Sequence, residues 1–179
     1  MVHEVPQPSV ARMVVPGGHP LVVEVAPAQP DLVLLTAARW LEALGASALY
    51  CAYADESRLT VEEHPDGTVR HVPVDPDGGD DEWRDREREL EGHLRRVLAG
   101  CPVPWHLRYL AGRPDRALTH LARAVDAAAF VVGTRAPGAA GRVKEWLGGS
   151  VAVRLAHHQH RPVLVVPVEV VDWKNESWR

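Results

Sequence analysis

The glycines, basic residues and the hydroxyl of Ser150 between Phe130 and Val151 are the residues of this chain best suited to chemistry. The chemistry they suit is the holding of an anion. Apolar Phe130-Val131-Val132 runs into Gly133-Thr134-Arg135-Ala136-Pro137-Gly138, and Gly148-Gly149-Ser150 leads into an apolar-patterned stretch from Val151. Ser150 stands where a helix N-cap belongs, and the unpaired N–H groups and dipole of such a helix end favour negative charge. Gly133 lets the backbone approach a ligand with no Cβ in the way. Arg135, Arg142 and Lys144 add positive charge nearby. The same residues also describe a tight turn, a helix start and solvated cations, and spacing alone leaves both readings open.

The other chemistry-bearing residues are fewer. Glu24 sits inside an apolar strand, where a carboxylate is costly unless it is paired or wet. Ionised beside a phosphate it would oppose a triphosphate by roughly 1–4 kcal/mol per unit charge at a few Å, and Arg135 is a candidate partner for it. His157, His158 and His160 invite a metal, but no Cys or carboxylate completes a ligand set, so they read as imidazoles near a helix C-terminus. Cys51 lies in an apolar run and reads as a buried free thiol, with Cys101 unpaired to it. No Gly-x-Ser-x-Gly elbow, zinc-ligand repeat or lysine-bearing P-loop is present, which argues against hydrolytic or kinase chemistry.

The elements that must position these residues follow from periodicity. Leu21 to Val25 is a strand, stopped by Pro27 and Pro30, and Asp31 is expected as the N-cap of a helix over Leu32–Leu44 that ends at Gly45. Ala48–Tyr53 is a second strand. Leu59–Val72 alternates about His64-Pro65-Asp66-Gly67, which predicts an inserted β-hairpin. Asp75 to Asp81 is a loop. Leu90, Leu94, Val97 and Leu98 mark the apolar face of a helix, and the charged residues from Asp80 to Arg96 are expected as its solvated face. Trp105–Leu110 alternates as a sheet-edge strand. After Gly112 a helix carries Ala117, Leu118, Leu121, Ala124 and Val125, followed by strand Phe130–Val132, helix Val151–His157 and strand Val163–Val166. Strands alternating with helices specify right-handed crossovers. The fold class is therefore α/β: a three-layer Rossmann-like sandwich on a mostly parallel five-stranded sheet, plus the hairpin. A ligand crevice is expected beyond the C-terminal ends of the strands, where the end of the first strand meets the loop after Val132.

The chain has 179 residues, 46% of them hydrophobic, and a formal net charge of −4. That size fits one domain, expected over residues 21–168, between a proline-bearing mobile tail (1–20) and a C-terminal tail (169–179). The charge balance and the scattered tryptophans disfavour nucleic acid as a partner. No apolar run is long enough to span a bilayer and none reads as a signal peptide, so no membrane partner and a cytoplasmic location are expected.

Gly133, the Gly149-Ser150 pair and the two flanking apolar strands resemble the C-terminal signature of universal stress proteins, the UspA-like branch of the Rossmann-like nucleotide-binding folds. The resemblance covers Leu21 to Pro167. ATP-binding members look like an apolar strand, then Gly-x-x-Gly, nine residues and Gly-Ser/Thr. Gly133 matches the first glycine, Gly149-Ser150 the last pair, and Ala136 stands at the second glycine unless Gly138 replaces it after a shift. The loop is also about three residues longer than that pattern. ATP-binding members also resemble an apolar strand ending in Asp-Gly-Ser, whereas this strand reads Val25-Ala26-Pro27-Ala28. The resemblance implies a non-enzymatic stress-response binding or signalling module, a divergent member of the family. It also implies a homodimer built through the last strand, Val163–Val166, an apolar edge that needs a partner. Two functions stay in play. One is an interaction module with a degenerate nucleotide crevice and an unknown protein partner. The other is an ATP or nucleotide sensor using Gly133, Arg135, Gly138, Gly149, Ser150 and Val151, with the backbone at Tyr53 and Ala54 against the base.

Overall fold

The computed structural model describes residues 9–75, 82–102, 104–134 and 151–168. Arg135, Gly138, Gly149 and Ser150, the cations Arg142 and Lys144, the loop 76–81 and the tail 169–179 lie outside the described residues. The elements in chain order are β1 (Leu21–Glu24), α1 (Asp31–Leu44), β2 (Leu49–Asp55), β3 (Arg58–Glu63), β4 (Val69–Pro73), α2 (Glu82–Val97), β5 (Trp105–Ala111), α3 (Pro114–Ala124), β6 (Ala129–Gly133), α4 (Val151–His158) and β7 (Val163–Val166).

Five strands form one sheet in the order β5-β2-β1-β6-β7, and every neighbouring pair is parallel. The chain grows outward from β1 through β2 to β5, then crosses back to β6 and β7. The order therefore reverses at β1, and the C-terminal end of that strand is the topological switch point where such sheets open a crevice. Alternation along the strands feeds two cores. Leu21 and Val23 face Val33, Leu34, Ala37, Leu41, Leu90 and Leu94 of α1 and α2, while Val22, Phe130 and Val132 face Leu118, Leu121 and Leu155 of α3 and α4. Three layers follow from strands that are apolar on both faces.

The local expectations are met with two corrections. Gly45 ends α1 in a left-handed conformation, φ 63°, as a helix C-cap glycine does. Asp31 is not the N-cap. Pro30 occupies that position with an extended backbone and no side-chain cap, and Asp31 is the first helical residue. Its carboxylate instead lies within ion-pairing reach of His93 and Arg96 on α2, at 3.4 and 3.8 Å. The charged face of α2 is also not wholly solvated, because Arg86 turns inward to the buried Asp55. The hairpin forms as expected, with β3 and β4 antiparallel and a register shift between Thr60 and Glu62. Ahead of β1, Val10–Arg12 make one 3-10 turn, Val14 packs against the core, and the Gly18 N–H donates to the Gly45 carbonyl at 2.9 Å.

Candidate functional site

A cleft of about 430 Å³ opens at the C-terminal ends of β1 and β2, at the switch point. Glu24, Val25 and Ala26 form one wall and Tyr53 to Ser57 the other, with Arg86 of α2 and Pro114 and Leu118 of α3 completing it. The β1–α1 connection beside it holds Ala28 at φ 60°, a left-handed conformation that costs a residue with a Cβ about 1 kcal/mol. Tyr53 and Ala54 line the cleft. Glu24 ends β1 on the cleft wall, half-buried and not free of partners.

The cleft floor is organised by Asp55, which sequence reasoning did not single out. The residue is 4% exposed. Oδ1 accepts from the Ser57 N–H at 2.9 Å and the Ser57 hydroxyl at 2.6 Å. Oδ2 accepts from the Tyr109 hydroxyl at 2.5 Å and from Arg86 at 3.3 Å. All four acceptor positions of the carboxylate are therefore used. Burial alone pushes the Asp55 carboxyl up. The Ser57 and Tyr109 hydrogen bonds and the Arg86 charge outweigh it and hold the group below the usual range. Tyr109 moves the other way: burial and its hydrogen bond to the Asp55 carboxylate push its phenol well above the ordinary value. Burial works against the Arg86 charge, but Tyr53, Tyr109 and Asp55 more than compensate and keep it protonated. Tyr53 meets Tyr109 edge-on at 5.2 Å, and the Arg86 guanidinium lies 6.0 Å from the Tyr53 ring centre, within the range of a cation–π contact.

The described lining thus combines apolar and aromatic side chains with carboxylates. Among the described residues the lining carries three carboxylates, Glu24, Asp55 and Glu56, and one arginine, Arg86, which pairs with Asp55.

Of the eight residues expected to hold a ligand, Tyr53 and Ala54 line the cleft, and Gly133 and Val151 are described but do not line it. Gly133 ends β6, and a Cβ there would meet Gln29 Nε2 at 3.0 Å, Val33 Cγ2 at 3.1 Å and Val168 Cγ1 at 3.2 Å. The missing side chain therefore serves close packing of β6 on α1, and only the Gly133 backbone is left to meet a ligand. Val151 opens α4, half-buried against the core that α3 shares. The remaining members, Arg135, Gly138, Gly149 and Ser150, lie outside the described residues. Among the described residues no group of three or more His, Cys, Asp or Glu side chains is placed to hold a metal ion, and no helix is long and apolar enough to cross a membrane. Cys51 is buried and Cys101 half-buried, both as free thiols.

Comparison with known proteins bears on this geometry. The sequence model of the Universal stress protein family matches residues 59–167. Among solved structures, a universal stress protein from Archaeoglobus fulgidus is 21% identical with a TM-score of 0.56, over 83% of this chain and 93% of that one. The universal stress protein from Archaeoglobus fulgidus in complex with dAMP is 19% identical (TM-score 0.55, 82% and 96% coverage). A universal stress protein in complex with cAMP is 20% identical (TM-score 0.58, 86% and 99% coverage). At these identities the likeness establishes the fold. A search of curated protein sequences finds no match.

Proposed function

The chain belongs to the universal stress protein family, and from that premise we propose that it is a non-enzymatic binding and signalling module of the stress response. Its cleft takes a nucleoside or a nucleotide of low charge. The observation that carries this reading is the cleft itself: about 430 Å³ at the switch point, with Tyr53 and the Ala52–Ala54 backbone on one wall and carboxylates below. The ring of Tyr53 offers a stacking face for a base. Glu24 and Glu56 of the lining supply carboxylates that could accept from ribose hydroxyls, as acidic residues do in other nucleotide sites. The relatives that hold dAMP and cAMP carry one phosphate each, which agrees with a site whose described charges are mostly negative. The module works in the cytoplasm as a two-fold dimer through β7, a reading supported by that strand's place at the sheet edge and by the exposure of Val165.

Calorimetric titration of the purified chain with adenosine, AMP, cAMP and ATP, with magnesium present, tests the proposal. The expected result is saturable binding of the nucleoside or a monophosphate, at least about tenfold tighter than ATP and weakened about tenfold by Tyr53→Ala. ATP binding tighter than AMP would show that the cleft is not selective against charge. Silence towards all four up to millimolar concentration would retire the nucleotide site and leave the interaction-module reading in its place. A specific feature favours that second reading: the outer face of the hairpin is apolar and exposed.

A further inference from the structure

The two-stranded sheet presents two unlike faces, and its register separates them. Arg58↔Pro73, Thr60↔His71 and Glu63↔Val69 pair on one face, while Leu59↔Val72 and Glu62↔Arg70 pair on the other. The first face is occupied. The Arg58 Nε–H donates to His71 Nδ1 at 2.6 Å, His71 meets the Trp83 ring at 4.7 Å, Thr60 donates to the Ala111 carbonyl, and His120 sits 2.9 Å from Glu63. The second face looks outward. Leu59, Val61, Val72 and Val74 are 53%, 46%, 39% and 54% exposed. Val61 joins them because the register shift between Thr60 and Glu62 leaves it unpaired, as a β-bulge does. At the loop end of this apolar patch Glu62 and Arg70 form a cross-strand ion pair at 3.1 Å.

We infer that this face of the hairpin is a self-association surface whose occupant is the same face of a second copy of the chain. The argument is charge complementarity. Two such faces can stack as sheets do, about 10 Å apart with strands nearly aligned, about a two-fold axis running parallel to the strands. That axis places β3 of one copy over β4 of the other at the same height. Leu59 then meets the second copy's Val72. Glu62 faces the second copy's Arg70, and Arg70 faces its Glu62, so the ion pairs close into a quartet. An isologous contact requires this self-matching. A partner with any other charge pattern would leave Glu62 or Arg70 opposite a mismatched group.

The hairpin packs against β5, at the edge of the main sheet opposite β7. Hairpin contacts and β7 contacts are therefore independent, and a chain using both assembles beyond two copies. Strands about 20 Å long cover well under the roughly 800 Å² per partner of a standard interface, so the hairpin contact alone is weak and concentration dependent.

Sedimentation equilibrium of the full chain from about 10 μM to about 1 mM tests the inference, in the wild-type background and in Val165→Asp. The added carboxylate at β7 keeps a β7 dimer from being mistaken for a hairpin one. In both backgrounds Val72→Asp weakens self-association about tenfold or more. Glu62→Arg and Arg70→Glu each weaken it too, and the double exchange Glu62→Arg with Arg70→Glu restores it, because the quartet is rebuilt with its signs reversed. An exposed pair contributes little to folding, so these variants stay folded, and circular dichroism verifies it. Self-association unchanged by Val72→Asp, or a double exchange as weak as its two parents, overturns the inference. In the first of these cases the face is left to a different protein.

Discussion

Replacing Tyr109 with phenylalanine removes one oxygen atom and leaves the ring that packs against Tyr53, Trp83 and His71 in place. The oxygen lost is the donor of a 2.5 Å hydrogen bond to the buried carboxylate of Asp55. A hydrogen bond to a charged group contributes about 1.5–3 kcal/mol, against about 0.5–1.5 kcal/mol for a neutral one. Tyr109 is 6% and Asp55 4% exposed, so water cannot replace the donor cheaply, and a loss of about 2–3 kcal/mol is expected at neutral pH. The pH dependence identifies the source. Asp55 has its folded pKa depressed. Its contribution is complete above the unfolded value near 4 and is lost as pH falls through the folded value. Tyr109 has its folded pKa raised. Its contribution is complete below the unfolded value near 10 and is lost as pH rises towards the folded value. Both contributions need the hydroxyl. The gap between wild type and Tyr109→Phe should therefore be flat from about pH 4 to about pH 10 and narrow on either side. Urea unfolding monitored by far-ultraviolet circular dichroism across pH 3–11 measures it. A loss below about 0.5 kcal/mol at pH 7, or a gap constant across the whole range, would refute the account of the cleft floor.

Further outcomes follow from single positions. Gly67 turns the hairpin at φ 80°, and a Cβ there would overlap Leu121 Cδ1 and lie 3.2 Å from Val125 Cγ1. Gly67→Ala should therefore lower stability by about 1–3 kcal/mol, read as a shift in the urea midpoint at unchanged slope. Burial pushes the Cys51 thiol up to about 12. In the native protein a thiol-reactive dye should label Cys101 and leave Cys51 untouched until the chain unfolds. An unfolded thiol ionises near 8.5 while the folded one keeps its proton, so stability should also fall as pH rises above about 9. Fast native labelling of Cys51 would contradict the buried β2.

What could be read from the sequence was what short-range pattern encodes. Apolar strands alternating with helices specified the parallel sheet, Gly45 marked the end of α1, and His64-Pro65-Asp66-Gly67 marked the hairpin turn. The end of β1 and the residues Tyr53 and Ala54 fell in the cleft because a doubly wound sheet fixes where its switch point lies. The Asp55 cluster was not legible. Its partners Arg86 and Tyr109 are 31 and 54 residues away, and nothing in the local pattern of α2 separates Arg86 from its solvated neighbours. One local signal was available: an aspartate ending an apolar run with a serine two residues on, a turn in which the side chain takes the following N–H. Gly133 is ambiguous for a related reason. A glycine after a strand fits close helix packing as well as close ligand approach, and only the positions of Val33 and Val168 show that the first applies here.

The cleft and the hairpin meet at one residue. Asp55 is the last residue of β2 and part of the cleft lining, and β3 begins three residues later at Arg58. The turn between them is held by the two bonds from Ser57 to Asp55 Oδ1, while Oδ2 ties the same carboxylate to β5 through Tyr109 and to α2 through Arg86. The carboxylate beside which a ligand would sit therefore holds the root of the hairpin, while Thr60 on the Ala111 carbonyl and His120 beside Glu63 hold it further along. A ligand that draws a hydrogen-bond donor away from Asp55 must weaken one of these ties. Any such effect acts equally in reverse, since a coupling between two binding events is the same free energy from either end. A ligand in the cleft and a second copy at Leu59 and Val72 would occupy separate surfaces, and through the ties of Asp55 the binding of one would change the affinity for the other.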